Sequence, residues 1–147
     1  MSHSLVKIWV HAVWGTKYRQ DLILPSIEPQ VHQLIFDQLK KMDCKTRIIN
    51  GMPDHVHALF LLSEKFAIED VMKQAIGAVS FEFNQLNICP HKLQWQIGYG
   101  AFSVSEDRVP KVQGYIKKQK HHHQKESFKD EITRFGNIYG MQWVEDD

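Results

Sequence analysis

The stretch CKTRIINGMPDHVHALFLL, Cys44 to Leu62, contains the two β-prone runs on which the predicted fold rests. The runs CKTRIING and HVHALFLL meet at Gly51–Asp54, a short connection with glycine and proline that is typical of a hairpin. In the second run, His55 and His57 stand two positions apart, so both face the same side of a strand. Taken alone, this histidine pair is more often structural than metal-binding. A functional site would therefore need further residues from other parts of the chain.

The sequence around this hairpin alternates between strand and helix patterns. Alternating residues predict a first strand over 5–16, and helical spacing predicts a helix that begins with Ser26 as its N-cap and carries Pro29 in its first turn. A second long helix is predicted over 67–87, a fourth, glycine-interrupted strand over 94–105, a helix from Val109 onward, and a last helix over 127–136. The last of these is predicted to be capped by Ser127 and to end at Gly136.

The element order β, α, β, β, α, β predicts an α+β, ferredoxin-like fold with one antiparallel sheet and helices on one face. Further helices at the C-terminal end would carry Tyr115. The sequence contains no internal repeat or linker, so we expect a single domain over residues 1–147.

Composition limits the class of protein. The chain has 18 basic and 17 acidic residues, so any affinity for a polyanion must come from a local patch. Its two cysteines, Cys44 and Cys89, have neither zinc-knuckle nor disulfide-framework spacing. We expect a cytoplasmic protein with no signal peptide and no membrane span, because no apolar run is long enough for either.

Tyr115 and Gln119 stand four residues apart in the helix predicted from Val109. They therefore share one helix face, and His122 lies near the same stripe. A tyrosine hydroxyl, an amide oxygen and two imidazoles suit transesterification at a phosphodiester. The tyrosine would attack phosphorus, and a divalent metal would polarise a non-bridging phosphate oxygen.

Four motifs carry a resemblance to a known family. MPDHVHALF, HAVWGTKYR, WQIGYGAFSVS and VQGYIKKQKHHH together resemble the single-tyrosine HUH transposases of the insertion-sequence-200-like family, from about Ile8 to Phe128. The resemblance implies a homodimer that nicks and rejoins single-stranded DNA at element ends. It implies a 5′-phosphotyrosine intermediate and Mg²⁺ or Mn²⁺ as the cofactor.

The resemblance also assigns residues. It implies that His55 and His57 are metal ligands, Gln119 is the third ligand and Tyr115 is the nucleophile. It further implies composite sites, in which the histidine pair of one subunit meets the tyrosine helix of its partner. Tyr115 follows the histidine pair, whereas conjugative relaxases place the tyrosine before it.

Other residues near these motifs are candidates for weaker roles. Asp54 is interpreted as a turn residue, with orientation of a histidine as the alternative, and His11 is interpreted as structural. Contacts with the DNA backbone are expected from basic side chains after the first strand and along the tyrosine helix: Lys17, Arg19, Lys117, Lys118, Lys120, His122 and His123.

The sequence also leaves alternatives to an enzyme, of which a metal-storage or structural role ranks last, because two strand histidines and a glutamine make a poor closed site. The first alternative is a domesticated protein that binds a DNA hairpin without turnover, although nothing in binding alone requires all four site residues. The second is an RNA-binding ferredoxin-like module, which would need exposed aromatic residues on its central strands, where HVHALFLL has histidines instead.

The ligand types predict a metal preference. Mg²⁺ prefers oxygen ligands, whereas Mn²⁺ accepts imidazole nitrogen more readily. We expect weak binding of Mg²⁺ by the free protein and higher activity with Mn²⁺, measured as DNA cleavage against metal concentration. Equal activity at low concentrations of both ions would contradict this ligand set.

Overall fold

A computed structural model of the chain, which describes residues 4–122 and 126–139, contains one four-stranded antiparallel sheet. The strands are β1 (Trp9–Gly15), β2 (Lys45–Met52), β3 (His55–Leu61) and β4 (Gly100–Val104). Their spatial order is β2-β3-β1-β4, which is the ferredoxin-like arrangement predicted from the sequence. The two central strands, β1 and β3, therefore place the histidine pair in the middle of the sheet.

Helices lie on both faces of this sheet. The first group is α1 (Glu28–Lys41), α2 (Ile68–Lys73) and α3 (Val79–Gln85), with a π-helical segment at Gln74–Ala78 joining the last two. The second group is α4 (Val109–Lys117), α5 (Gln119–His122) and α6 (Phe128–Tyr139). No helix within the described ranges has both the length and the apolar character required to cross a membrane.

The period-two alternation of the central strands divides their side chains between the two faces. One face of the sheet packs on α1, α2 and α3 to form the main core, with Val10, Ala12, Trp14, Val56, Ala58 and Phe60 from the strands. The opposite face presents Trp9, His11, Val13, His55, His57 and Leu59. The histidine pair is therefore on the face that the main core does not use.

The second face is buried by the C-terminal helices. Ile116 of α4 packs with Trp9 and Leu59, and its side chain is fully buried. Residues Phe128, Ile132 and Phe135 of α6 form a separate cluster with Val13 and Phe102. Because these apolar contacts remove surface from water on both sides of the histidines, α4 and α6 enclose the site.

The structure corrects two predicted starts of elements. The first strand begins at Trp9 rather than at residue 5, and Ile8 before it is 46% exposed. The first helix begins at Glu28 with Ile27 as its N-cap, so Ser26 is not the cap. Ile27 is buried in the core, and its N–H bonds the carbonyl of Leu24, so a turn rather than a side chain leads into the helix.

Three further boundaries differ from the predictions. The fourth strand is limited to Gly100–Val104, because Gly98 has a φ of 93° and interrupts the extended backbone. The helix from Val109 ends at Lys117, and Gln119 begins a new one. The last helix is capped by Ser127, whose hydroxyl accepts a bond from the Asp130 N–H, but it continues past Gly136 to Tyr139.

Gly51 lies where β2 approaches the histidine strand closely. A Cβ at Gly51 would be 2.2 Å from the His55 carbonyl oxygen and 3.0 Å from the Val56 Cα, both backbone atoms that cannot rotate away. We expect Gly51→Ala to lower the free energy of unfolding by about 1–3 kcal/mol, measured by urea denaturation.

Gly77, in the π-helical segment, provides the matched control. A Cβ there meets nothing within 4 Å. Gly77→Ala is expected to raise stability by about 0.5–1 kcal/mol, because alanine loses less backbone entropy on entering a helix. Equal stabilities of the two variants would contradict the close approach at Gly51.

Candidate metal and tyrosine site

The two histidines of β3 are positioned by the pairing of β3 with β1. His55 lies opposite Gly15, and His57 lies opposite Val13. Both imidazoles are fully buried. Burial at the centre of a sheet fixes their direction, so both rings extend toward α4 and α6.

A neighbouring side chain holds the Nδ1 atom of each imidazole. Asp54 Oδ1 lies 2.7 Å from Nδ1 of His55, and Nε2 of His11 lies 2.8 Å from Nδ1 of His57. Asp54 thus contacts a histidine, as the alternative interpretation of this residue required. Such outer partners orient metal-binding histidines in proteins and fix their tautomer. They leave both Nε2 atoms facing one point.

Two further side chains meet the histidines at that point. The Oε1 atom of Gln119 is 3.0 Å from Nε2 of His55. The Oε1 atom of Glu131 is 2.9 Å from Nε2 of His57 and 3.5 Å from Nε2 of His55. Gln119 and Glu131 are both fully buried. The amide Nε2 of Gln119 donates to the other Glu131 oxygen at 3.1 Å, which turns its Oε1 toward His55.

This arrangement fits a cation. If Nδ1–H of His55 donates to the Asp54 carboxylate, the Nε2 lone pair of the same ring faces the oxygens of Gln119 and Glu131. Acceptors that converge in this way repel each other unless a positive charge lies between them. One ligand atom from each of His55, His57 and Glu131 lies within 4.8 Å of the others. These three residues could therefore hold a metal ion.

Tyr115 of α4 reaches the same carboxylate. Its hydroxyl donates to Oε2 of Glu131 and accepts a bond from Nη2 of Arg134 at 2.9 Å. Burial, followed by the hydrogen bond to Glu131, raises the pKa of Tyr115 above its ordinary value, while Arg134 acts in the opposite direction. The tyrosine is thus a neutral phenol whose proton already points at an acceptor.

His11 is buried beside His57 and uncharged at neutral pH. Burial, and then the proximity of His57, lower the pKa of His11 to about 3. A neutral His11 can accept the Nδ1–H of His57 or donate to Nδ1, according to its tautomer. In either state it connects β1 directly to a candidate metal ligand.

Phe128 closes the site from the side of α6. Its ring stacks on the His55 imidazole at a centroid distance of 4.3 Å and an interplanar angle of 10°. A Cβ at Gly15 would be 2.8 Å from this ring, so the glycine leaves the space that Phe128 fills. The packing seals His55 from solvent.

The structure places the expected DNA-contact residues at different positions relative to the site. Lys17 and Arg19 follow β1 in a turn whose preceding residue, Thr16, donates its N–H to the Asp54 carbonyl. Lys117 and Lys118 are exposed. Lys120 bonds Glu28, Asn50 and the Gly51 carbonyl, so its ammonium group is used within the fold. The His122 side chain and all of His123 lie outside the described part of the structure.

Sequence reasoning missed Glu131 and Arg134, and it interpreted His11 as structural only. Glu131 did carry a signal, because it lies three residues after Phe128 and one before Ile132, inside the apolar stripe of α6. A carboxylate in that position faces the interior rather than water. His11 also lies on the same face of β1 as Trp9 and Val13, and this is the face of the sheet that carries His57.

Known proteins resemble this chain over most of its length. Residues 4–119 match the model of the family described as Transposase IS200 like. The ISDra2 transposase TnpA of Deinococcus radiodurans is 27% identical over 115 residues, which cover 74% of this chain and 81% of the relative. The matched family segment contains the histidine pair, Tyr115 and Gln119, and it ends before α6.

Two solved structures share the fold. A candidate transposase from Deinococcus radiodurans R1 superposes with a TM-score of 0.64 at 24% identity, covering 81% of this chain and 95% of the other. A REP-associated tyrosine transposase bound to a REP hairpin superposes with a TM-score of 0.59 at 14% identity, covering 83% and 75%. Both confirm the α+β sheet architecture.

The contact between His11 and His57 predicts an effect on metal affinity. Replacing His11 with Phe keeps a ring of similar size but removes the hydrogen bond that orients His57. We expect Mn²⁺ to bind about 10–100-fold more weakly to His11→Phe than to wild type, measured by calorimetric titration. His91→Gln, in the loop after α3, should bind Mn²⁺ like wild type, and an unchanged affinity in His11→Phe would exclude an orienting role.

Proposed function

The chain belongs to the IS200-like transposase family, and on that basis we propose that it nicks and rejoins single-stranded DNA through a 5′-phosphotyrosine. The observation that best supports this activity is the gathering of Tyr115, His55, His57 and Gln119 around one buried point. We therefore assign the reaction to these four residues.

We propose that His55 and His57 bind a divalent metal through Nε2, together with Gln119 Oε1 and Glu131 Oε1. The proposed ion is Mg²⁺ or Mn²⁺, and when bound it would polarise a non-bridging oxygen of the scissile phosphate. The carboxylate of Glu131 would offset part of the ionic charge in a site closed to water.

The two oxygens of Glu131 have separate tasks in this proposal. Oε1 faces the histidines, and Oε2 accepts the Tyr115 O–H. As the Tyr115 oxygen attacks phosphorus, its proton passes to Oε2. The bond from phosphorus to the 3′ oxygen of the preceding nucleotide breaks, and that oxygen takes up a proton from water to become a 3′-hydroxyl, while Oε2 keeps the tyrosine proton. Rejoining reverses these steps.

The proposed substrate is a single strand that forms a hairpin at the end of a mobile element. The REP-associated relative is described as bound to a REP hairpin, which supports a hairpin as the ligand class. In this chain, Lys17, Arg19, Lys117 and Lys118 are the candidate backbone contacts. Individual basic side chains of this kind can bind the phosphates of a polyanion even though the net charge is only +1.

We also propose a homodimer, as the family resemblance implies, but with each site formed within one chain. In the structure, Tyr115 reaches Glu131 and His57 of its own chain. A partner is therefore not required to bring the tyrosine to the histidines. Composite sites between subunits would need α4 to leave this position.

A hairpin-binding protein without turnover is the second candidate. One observation favours it: Glu131 already accepts the hydrogen bond of the Tyr115 hydroxyl and lies next to Nε2 of His57. In that case the hydrogen bond to the carboxylate would prevent the Tyr115 oxygen from attacking phosphorus. The two candidates differ in whether a covalent adduct forms.

Tyr115→Phe tests the nucleophile directly. Wild type, mixed with Mn²⁺ and labelled single strands copied from the DNA that flanks its own gene, is expected to form a covalent adduct on a denaturing gel. Tyr115→Phe should form none, because it lacks the attacking oxygen, whereas Tyr99→Phe should react like wild type. Tight hairpin binding without an adduct would favour the binding protein over the enzyme.

Mixing two inactive variants locates the site. Tyr115→Phe and His57→Ala should remain inactive together if each site lies within one chain. Recovery of the adduct in the mixture would mean that the tyrosine acts on the histidines of the partner subunit.

A further inference from the structure

The helix α6 contributes to the site although it lies beyond the segment that the family model matches. That match ends at residue 119, whereas α6 spans Phe128–Tyr139. Glu131 of this helix already has a place in the proposed reaction. Arg134, one turn further along, contacts the tyrosine and has no role so far.

The guanidinium of Arg134 is held in place from two sides. Its Nε and Nη2 donate to the two carboxylate oxygens of Glu126 at 3.2 and 3.1 Å, and Nη2 also donates to the Tyr115 oxygen at 2.9 Å. Its central carbon lies 5.0 Å from the centre of the Phe135 ring. An arginine fixed in this way loses little further entropy when it binds an anion.

One edge of the guanidinium remains available. Within residues 4–122 and 126–139, Nη1 has no assigned partner, and the side chain is 42% exposed. His55, His57 and Glu131 on the other side of Tyr115 are fully buried. Of these neighbours of Tyr115, Arg134 is therefore the one that is open to solvent.

Reaction geometry places phosphate within reach of this edge. A phosphorus atom poised for attack lies roughly 3–3.5 Å from the attacking oxygen. Nη2 is already 2.9 Å from that oxygen, so the non-bridging phosphate oxygens would come into hydrogen-bonding range of the guanidinium. Nη1 would supply one N–H bond to the phosphate, and Nη2 a second once its hydrogen turns from the Tyr115 oxygen to a phosphate oxygen. A single ammonium group cannot reproduce this pair.

We propose that Arg134 is a catalytic residue that binds the scissile phosphate next to the Tyr115 oxygen and stabilises the charge that develops on it. Glu126 is a positioning residue that keeps the guanidinium directed at the tyrosine. This inference rests on the proposed function. It adds to that function a phosphate contact supplied by a helix outside the family segment.

Adduct formation at saturating DNA tests the proposal. Arg134→Gln should slow the covalent step by about 100–1000-fold, as expected when one donor to a developing anion is lost. The affinity of the same variant for the hairpin should change little, because one phosphate contact among many is removed. Arg134→Lys keeps the charge without the paired N–H groups and should recover only part of the rate.

Lys129→Gln is the matched control, since it removes an exposed cation from the same helix. It should react like wild type. A rate for Arg134→Gln equal to that of wild type, or a loss confined to DNA affinity, would overturn the proposal. Circular dichroism of each variant identifies any that fails to fold, in which case Arg134→Lys decides the result.

A second measurement separates this inference from the proposed function. If wild type itself forms no adduct, the proposed function fails, and binding of inorganic phosphate followed by ³¹P NMR then tests Arg134 alone. Phosphate binding that is lost in Arg134→Gln and kept in Lys129→Gln would support the contact. Equal phosphate binding by all three proteins would overturn it.

Discussion

A carboxylate that is removed from water must be met by hydrogen-bond donors or by a cation, since leaving it unpaired costs several kcal/mol. Glu131 is fully buried, and this requirement organises the second face of the sheet. Its partners come from β3, α4 and α5: His57, Tyr115 and Gln119. One charged group therefore joins the last helix to the central strand and to the tyrosine helix.

The residues that stabilise the fold and the residues of the site therefore lie on opposite faces of the sheet. The main core lies between the sheet and helices α1 to α3, and it uses the alternate residues of β1 and β3. The histidines occupy the other set of alternate positions, so substitutions at the site leave the main core intact. Apolar residues of α4 and α6 complete a smaller core around the polar cluster, where a lower effective dielectric constant strengthens each electrostatic contact.

The sequence predicts those parts that depend on local pattern. Period-two alternation places His55 and His57 on one side of a strand, and four-residue spacing brings Tyr115 and Gln119 together even though the helix breaks between them at Lys118. The contacts of Glu131 and His11 are of another kind, since they join elements that are distant along the chain. Hydrophobic periodicity shows that a residue faces inward, but it does not show which side chain of another element that residue contacts. The pattern also predicts a glycine interruption in the fourth strand, but not that the backbone angle of Gly98 would confine the strand to the residues after it.

Crystallography with Mn²⁺, using anomalous scattering to locate the ion, tests whether these acceptors converge to hold a metal. We expect one manganese ion in direct contact with Nε2 of His55 and His57 and with the Glu131 carboxylate. A saturated crystal in which no ion lies at this point, and in which His57 remains bonded to Glu131, would contradict it. The polar cluster would then be a self-contained network that holds α6 on the sheet.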